Sequence, residues 1–370
     1  MLEHDFTGPP FTIGVEEELM ILDADGLDLA QRIEAVLDAV PNRLEGQVKP
    51  ELMQSVLEVA TEPCPDVRTA GEQLGALRSE VAAIGDRLGL RIGASGTHPF
   101  ARWEEQEIVD RQRYRELIDE LGYVARQELI FGTHVHVAIS GPNKAIYVAD
   151  GIRRYIPVLL ALSANSPLWR GEATGMASAR TPVFRAFPRV GVPPHYGSWE
   201  IYSRRVELMM RSGAIDDYTY LWWDVRPHPA LGTVETRVFD QQTRLEHTVG
   251  LTALTAALAH RLSALFDREE PMVEYPTELI DDNKVRAAVR GLEGRLIDFR
   301  EGRQVSAGEM VRRMLDELRE HAEELGCADE LDGVEDLLVN GTGSRRQIEA
   351  YDREGDVRAV VREIADGTRA

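Results

Sequence analysis

Four short segments of this chain can serve as strands of only one kind of sheet. Each gathers its ionisable side chains on one face and most of its apolar side chains on the other. The first is Thr12-Ile-Gly-Val-Glu-Glu-Glu-Leu-Met-Ile-Leu22. Side chains alternate across a strand, so Glu16 and Glu18 share a face, while Val15, Leu19 and Ile21 take the opposite one. Glu17 is the polar intruder on that apolar side. In Gln54–Thr61, Glu58 lies with Gln54, Val56 and Ala60, opposite Ser55, Leu57 and Val59. In Gly132–Ile139, His134 and His136 share one face and Val135, Val137 and Ile139 the other. In Gly232–Asp240, Glu235 and Arg237 sit together, opposite Val234, Thr236 and Val238. A slip of one residue would bury these charges in the core, so the pattern fixes which face is which.

Two carboxylates side by side repel each other unless a cation sits between them. Taken singly, each segment also has a plain reading. Glu16 and Glu18 suit an exposed strand, the two histidines a solvated or core-satisfied pair, and Glu235 with Arg237 a surface ion pair worth little. The joint occurrence argues for a site. Several carboxylates with an imidazole make an oxygen-rich donor set suited to Mg²⁺ or Mn²⁺, whereas zinc takes more nitrogen or sulfur. Such a set beside an arginine, without a Walker lysine, suits a triphosphate held by divalent ions.

Between these strands the chain reads mostly as helix. Val67, Leu74, Leu77, Val81, Ile84 and Leu88 recur at helical spacing across residues 66–89. Residues 91–95 make a short strand, 103–121 a charged helix or loop, and 145–163 a largely buried helix interrupted or kinked at Pro157. Residues 165–198 are rich in Gly, Pro and Arg, and a long irregular stretch of this kind is more often functional than idle. Residues 248–266 form an apolar helix, and the remainder reads as mostly charged amphipathic helix. Strands scattered among helices, without βαβ alternation, predict an α+β fold with an antiparallel sheet. We find no internal repeat, and treat residues 1–370 as one domain.

The net charge of −21 argues against general nucleic-acid binding, which needs a basic surface. Lys49, Lys144 and Lys284 are the only lysines, so a catalytic cation is expected to be an arginine or a metal. No stretch approaches the roughly 18 uninterrupted apolar residues of a membrane span, and residues 1–10 do not read as a signal peptide. Cys64 and Cys327 give neither a disulfide framework nor a cysteine zinc site, which predicts a reducing, cytoplasmic setting.

Gly14-Val-Glu-Glu-Glu-Leu, Gln54-Ser-Val-Leu-Glu-Val-Ala-Thr, Gly132-Thr-His-Val-His-Val, Ser163-Ala-Asn-Ser-Pro and Gly232-Thr-Val-Glu-Thr-Arg-Val-Phe-Asp together resemble the type 2 glutamate–cysteine ligase family. Gly341-Thr-Gly-Ser-Arg-Arg and Gly355-Asp-Val-Arg are similar to that family's ending. The resemblance implies a glutamine synthetase-like catalytic domain, its curved antiparallel sheet forming a funnel for ATP and metal, with helices on the outer face. It implies metal-binding roles for Glu16, Glu18, Glu58, His134 and Glu235, and a phosphoryl-steadying role for Arg237. His136 is placed behind the ligands or on the substrate side. Glu51 is a candidate for holding a substrate amino group. Arg180 and Arg185 are candidate clamps for a substrate carboxylate, by charge and placement, although surface arginines on a loop would read the same.

The implied reaction is ATP- and Mg²⁺-dependent (or Mn²⁺-dependent) amide formation from an amino-acid carboxylate and an amine through an acyl phosphate, with glutamate and cysteine as the default pair. A homodimer is the family's implication for assembly. A metal-dependent hydrolase built on His134 and His136 lacks further histidines at motif spacing. An ATP:guanidino phosphotransferase or a non-catalytic nucleotide-binding protein on the same scaffold stays open at this point.

Overall fold

The computed structural model describes residues 2–369. Seven strands pair antiparallel in one open sheet: β1 (Ile13–Asp23), β2 (Val48–Pro50), β3 (Val56–Ala60), β4 (Leu90–Gly93), β5 (Gly132–Ala138), β6 (Val225–His228) and β7 (Thr233–Asp240). The order is β6-β7-β5-β1-β3-β2. Met20 pairs with Val56 on one side and Gly93 on the other, so β4 continues along β1 where β5 leaves off. The class is α+β, as the strand pattern predicts; helix Val357–Thr368 packs at the β1–β4 end of the sheet, and the main helical layer covers the opposite face.

That covered face is the apolar one. Val15, Leu19, Ile21, Leu57, Val59, Val135, Val137 and Val234 are all buried in one core. Burying each such side chain is worth about 1.5–3 kcal/mol, enough to pin the strand parity. Two helices close this face. Val67–Leu88 starts where the Asp66 carboxylate accepts the Thr69 N–H at 2.8 Å, and ends at Gly89 in the left-handed region (φ 68°). Leu245–Asp267 packs against it and against helix Ala307–Glu324. Flanked on both sides, Leu245–Asp267 is apolar nearly all round. By length and composition it could cross a membrane, but 67% of its most apolar stretch is buried within the protein.

Glu17 finds its partner on this face. Arg78, from helix Val67–Leu88, meets the Glu17 carboxylate through Nε at 2.7 Å and Nη2 at 2.6 Å. Thr248 Oγ1 (2.7 Å) and Gln241 Nε2 (3.0 Å) donate to the same carboxylate. Arg78 also donates to the Gln242 and Thr243 carbonyls at 2.8 Å each. Burial pushes the Glu17 carboxyl up, but Arg78 and these donors outweigh it and hold the carboxyl below its usual range.

Several local expectations change. The helix predicted over 145–163 is interrupted, as one of the two alternatives at Pro157 allowed: Pro142–Ile152 and Ile156–Ser163 are joined by a 3₁₀ turn at Arg153–Tyr155. Pro157 has no N–H to offer the carbonyl four residues back, so the break falls before it rather than at it. Strand β6 goes unread in the sequence because Pro227 interrupts its pattern, and it is tolerated because β6 is an edge strand. The C-terminal region is mostly helix, as predicted, with one hairpin, Arg295–Asp298 and Arg303–Ser306, that the sequence reading did not place.

One buried imidazole sets a pH response. His98 Nε2 donates to the Leu27 carbonyl at 3.0 Å, while Nδ1 accepts the N–H groups of Phe100 and Ala101 at 3.2 and 2.9 Å. This arrangement admits only the neutral ring, and burial pulls its pKa from 6.5 down to about 4. Because the folded value is depressed, the unfolded chain takes the proton first. Stability is full above pH 6.5 and is lost as pH falls towards 4, by about 3 kcal/mol from this group. An NMR titration of the His98 ring should show a midpoint near 4; a midpoint near 6.5 would contradict it.

Candidate active site

The other face of the sheet carries the charged residues in rows across the strands. Glu18 lies opposite Glu58, which lies opposite Lys49. Glu16 lies opposite His134. His136 lies opposite Glu235, which lies opposite Arg226. Neighbouring strands in register bring side chains within about 5 Å, so residues scattered over two hundred positions become one wall.

The wall borders a cavity of about 350 Å³. Glu16, Glu18, Glu51, Glu58, His134, Arg180 and Arg237 line it. Facing them are Arg113, Tyr114 and Leu117 from one side and Phe184, Phe187, Tyr220 and Trp222 from the other. Glu235 and His136 lie behind this lining, reached through Glu16 and Arg237. Arg185 corrects its expectation: its guanidinium is about half exposed, pairs with Asp281 at 2.6 Å, and is not part of the cavity wall. The short helix Arg180–Phe184 separates the two arginines, turning Arg180 inward and leaving Arg185 at its end.

The carboxylates and imidazoles interlock closely. His134 Nδ1 is 3.1 Å from Glu16 Oε2, and its Nε2 is 3.9 Å from Glu18 Oε1. His136 Nε2 stands 3.7 Å from Glu16 Oε1 and 3.8 Å from Glu235 Oε1. Its Nδ1 is fixed by Thr233 Oγ1 at 2.9 Å. Glu16, His136 and Glu235 therefore present donor atoms within 4.8 Å of one another. The geometry thus groups His136 with two carboxylates as a candidate ligand set, where the family resemblance implied that role for His134. The Nε2 atoms of both histidines are buried without a hydrogen-bond partner among the described residues. Two free nitrogens aimed among carboxylates suit a bound cation.

Arg237 is placed by an irregularity. The register of β7 against β5 shifts between Thr236 and Phe239, so Arg237 and Val238 together oppose one residue. This bulge sends both Val238 and Phe239 into the core and leaves Arg237 over the cavity. Arg237 pairs with Glu235 and lies 3.5 Å from His134 Nδ1. Arg180 reaches the same corner, donating towards the Arg237 carbonyl at 3.4 Å, with its Nε unpartnered among the described residues. Gly132 makes room for it: a Cβ there would lie 2.5 Å from Arg180 Nη2 and 3.3 Å from His134 Nε2. The Gly132 N–H also donates to Glu18 Oε2 at 2.5 Å.

Electrostatics divides the acids into two groups. For Glu235, burial acts upward, but Arg226 and Arg237 outweigh it and hold the carboxyl well below its usual range. Glu16 is likewise held low against burial by His134 and His136. Glu58 goes the other way: burial and the charges of Glu16 and Glu18 raise it to about 7, with Lys49, 3.2 Å away, only partly offsetting them. Burial and the neighbouring acids Glu58 and Glu18 push Glu51 well up. The wall thus holds more carboxylates than its own cations can keep ionised, as expected of a site completed by positive ions.

Arg226, Lys49 and Glu128 belong to the site and were not singled out from the sequence. Arg226 holds Glu235 through Nε at 2.6 Å and is itself fixed by the Thr219 and Leu221 carbonyls at 2.8 Å each. Glu128 lines the cavity with a buried Oε2 unpartnered among the described residues. Burial and the Glu18 charge push its carboxyl well up. A Lys in a chain with so few was the one signal available for Lys49.

The sequence pattern of glutamate–cysteine ligase family 2 matches residues 12–363. The chain belongs to this family. A Rubrobacter xylanophilus relative, provisionally named glutamate–cysteine ligase 2-1, is 45% identical over 97% of this chain and 95% of its own length. A Sorangium cellulosum relative, provisionally named glutamate–cysteine ligase 2, is 41% identical over 96% of each chain. The fold matches the crystal structure of glutamate–cysteine ligase from Francisella tularensis in complex with AMP, with a TM-score of 0.70 and 14% identity over 99% of this chain and 90% of that one. It also matches a bifunctional glutathione synthetase from Pasteurella multocida, with a TM-score of 0.70 and 16% identity, over 97% of this chain and 52% of that one. Membership makes the chain a ligase of glutamate–cysteine ligase type.

Proposed function

We propose that this family member is an ATP-dependent carboxylate–amine ligase that forms an amide through an acyl phosphate, with glutamate as the carboxylate and cysteine as the default amine. The observation that carries the reading is the wall just described: Glu16, Glu18, Glu58 and Glu235 with two cation-facing imidazoles, beside Arg237 and Arg180. These carboxylates and His136 or His134 would hold divalent ions, Mg²⁺ or Mn²⁺. Such ions would supply positive charge to offset the negative charge of the triphosphate.

The substrate's γ-carboxylate oxygen bonds to the γ-phosphorus and ADP leaves. The amine nitrogen then bonds to the acyl carbon, phosphate leaves, and the amine gives up its proton. Arg237 stands where it can offset charge on the transferred phosphoryl oxygens, and its pairing with Glu235 fixes its direction. Arg180, with a free Nε, is the candidate clamp for a substrate carboxylate. Glu51, at the acidic end of the cavity, is the candidate for a substrate ammonium. No protein nucleophile is required, because the phosphate is the activating group.

The test is phosphate release from ATP and Mg²⁺ with a matrix of amino-acid carboxylates and amines, with products identified by mass spectrometry. Hydroxylamine should trap the acyl phosphate as a hydroxamate in the presence of glutamate and ATP. ATP turnover without hydroxamate would point to phosphoryl transfer alone. A second result is independent of turnover. Ligand at about 100 times its Kd stabilises the fold by roughly 2.7 kcal/mol, so Mg²⁺ with ATP should raise Tm by several degrees. Glu16→Gln should remove most of that rise; a rise unchanged in the variant would place the nucleotide elsewhere.

A further inference from the structure

On the helical side of the sheet, away from the funnel face, two imidazoles and a carboxylate meet between packed helices. His260 projects from helix Leu245–Asp267, and His321 and Glu324 from helix Ala307–Glu324. The three-residue spacing puts His321 and Glu324 on one face of their helix. His260 Nδ1 lies 3.0 Å from His321 Nδ1 and 3.6 Å from Glu324 Oε2. The three donor atoms fall within 4.8 Å of one another. A tetrahedral ion with bonds of about 2.0–2.2 Å sets its donors roughly 3.3–3.6 Å apart, so small side-chain shifts suffice.

We propose that His260, His321 and Glu324 form a site for a zinc-class transition-metal ion that ties these two helices together. The donor set is the reverse of the funnel's: two imidazoles to one carboxylate selects a borderline-soft ion, not Mg²⁺. Without an ion, two neutral rings meeting nitrogen to nitrogen can share one hydrogen at most, and Glu324 adds a further acceptor to the same point. The local charge permits a cation. Arg261, beside His260, is already paired with Glu317 at 3.5 Å, and Glu320 adds a negative charge near His321. The Phe11 ring packs on the His260 ring at 4.8 Å between centroids and restricts it. Three protein donors leave one position open. A cavity of about 200 Å³ adjoins His260, bordered by Phe11, Lys144, Ser263 and Asp267, with room for a water or small anion there.

The experiment is titration of the whole chain with Co²⁺ in excess Mg²⁺, so that the oxygen-rich wall is saturated. We expect a stoichiometric tetrahedral visible spectrum, displaced by Zn²⁺, and a Zn²⁺-dependent rise in Tm. His321→Asn and the conservative Glu324→Gln should each weaken Co²⁺ binding by about 10-fold or more and leave Mg²⁺-ATP turnover unchanged. Glu16→Gln should retain the Co²⁺ spectrum. Absence of the spectrum, wild-type Co²⁺ affinity in either helix variant, or loss of the spectrum in Glu16→Gln would each overturn the assignment.

Discussion

Replacing Glu235 by glutamine should lower Mg²⁺-ATP turnover by about 10³-fold. Glu235 is fully buried and faces three groups at once: Arg226 at 2.6 Å, Arg237, and His136 Nε2 at 3.8 Å. Glutamine keeps the shape and an acceptor for the Arg226 Nε, so the site is not simply emptied. What it removes is the negative charge that balances two buried guanidiniums. The corner then becomes net positive, which repels a divalent ion and frees Arg237 from the direction it needs. Both effects act on the same reaction, which is why the loss should exceed that of a single missing hydrogen bond. Loss of one partner from a buried ion pair costs about 3–5 kcal/mol at most, so thermal melts and circular dichroism must accompany the assay. A folded Glu235→Gln variant working within tenfold of the wild type would remove Glu235 from the site.

The second large effect lies on the opposite face and concerns stability. Arg78→Met should destabilise the protein by about 3–5 kcal/mol in urea unfolding, because it strands the Glu17 carboxylate in the core. The change also removes the donors to the Gln242 and Thr243 carbonyls. Arg78 is what keeps the Glu17 carboxyl low despite burial. In the variant only the Thr248 and Gln241 donors oppose burial, so the buried Glu17 carboxyl is driven towards its protonated form and the loss should grow as pH rises. Adding Glu17→Gln to Arg78→Met should recover part of it, since a neutral amide can stay with Thr248 and Gln241. A double-mutant cycle reads that coupling directly. A cost under about 1 kcal/mol for Arg78→Met would mean the pair behaves like one at the surface.

The parity of the charged wall was legible because it is local: alternation within β1, β3, β5 and β7 assigns Glu16, Glu18, Glu58, His134, His136 and Glu235 to one face without knowledge of the neighbours. What alternation cannot supply is which strand lies beside which. Lys49 reaches Glu58, and Arg226 reaches Glu235, only through pairings with the edge strands β2 and β6. Both edge strands carry a proline, and both were missed. Arg180 and Arg185 looked equivalent in an irregular segment, and a single short helix separates them. Glu128 precedes β5 in a stretch without periodicity, so its approach to the cavity is purely tertiary. The bulge at Arg237 left the expected face intact, but its role in turning Phe239 inward depends on the register with β5.

The run Glu16-Glu17-Glu18 has a genetic consequence. A repeat of three identical residues is where an in-frame loss of one codon would look most harmless, since two glutamates would remain. Here it would be among the most damaging lesions available. The deletion would carry Leu19 and Ile21 across to the places of Glu18 and Met20 and leave one remaining acid facing the helices and one facing the cavity. Met20 and Leu22 would take the core-side places of Leu19 and Ile21, Asp23 would be drawn into the buried position of Leu22, and the cavity wall would lose the carboxylate that Glu18 places opposite Glu58. Three letters that read as redundancy are three separate instructions.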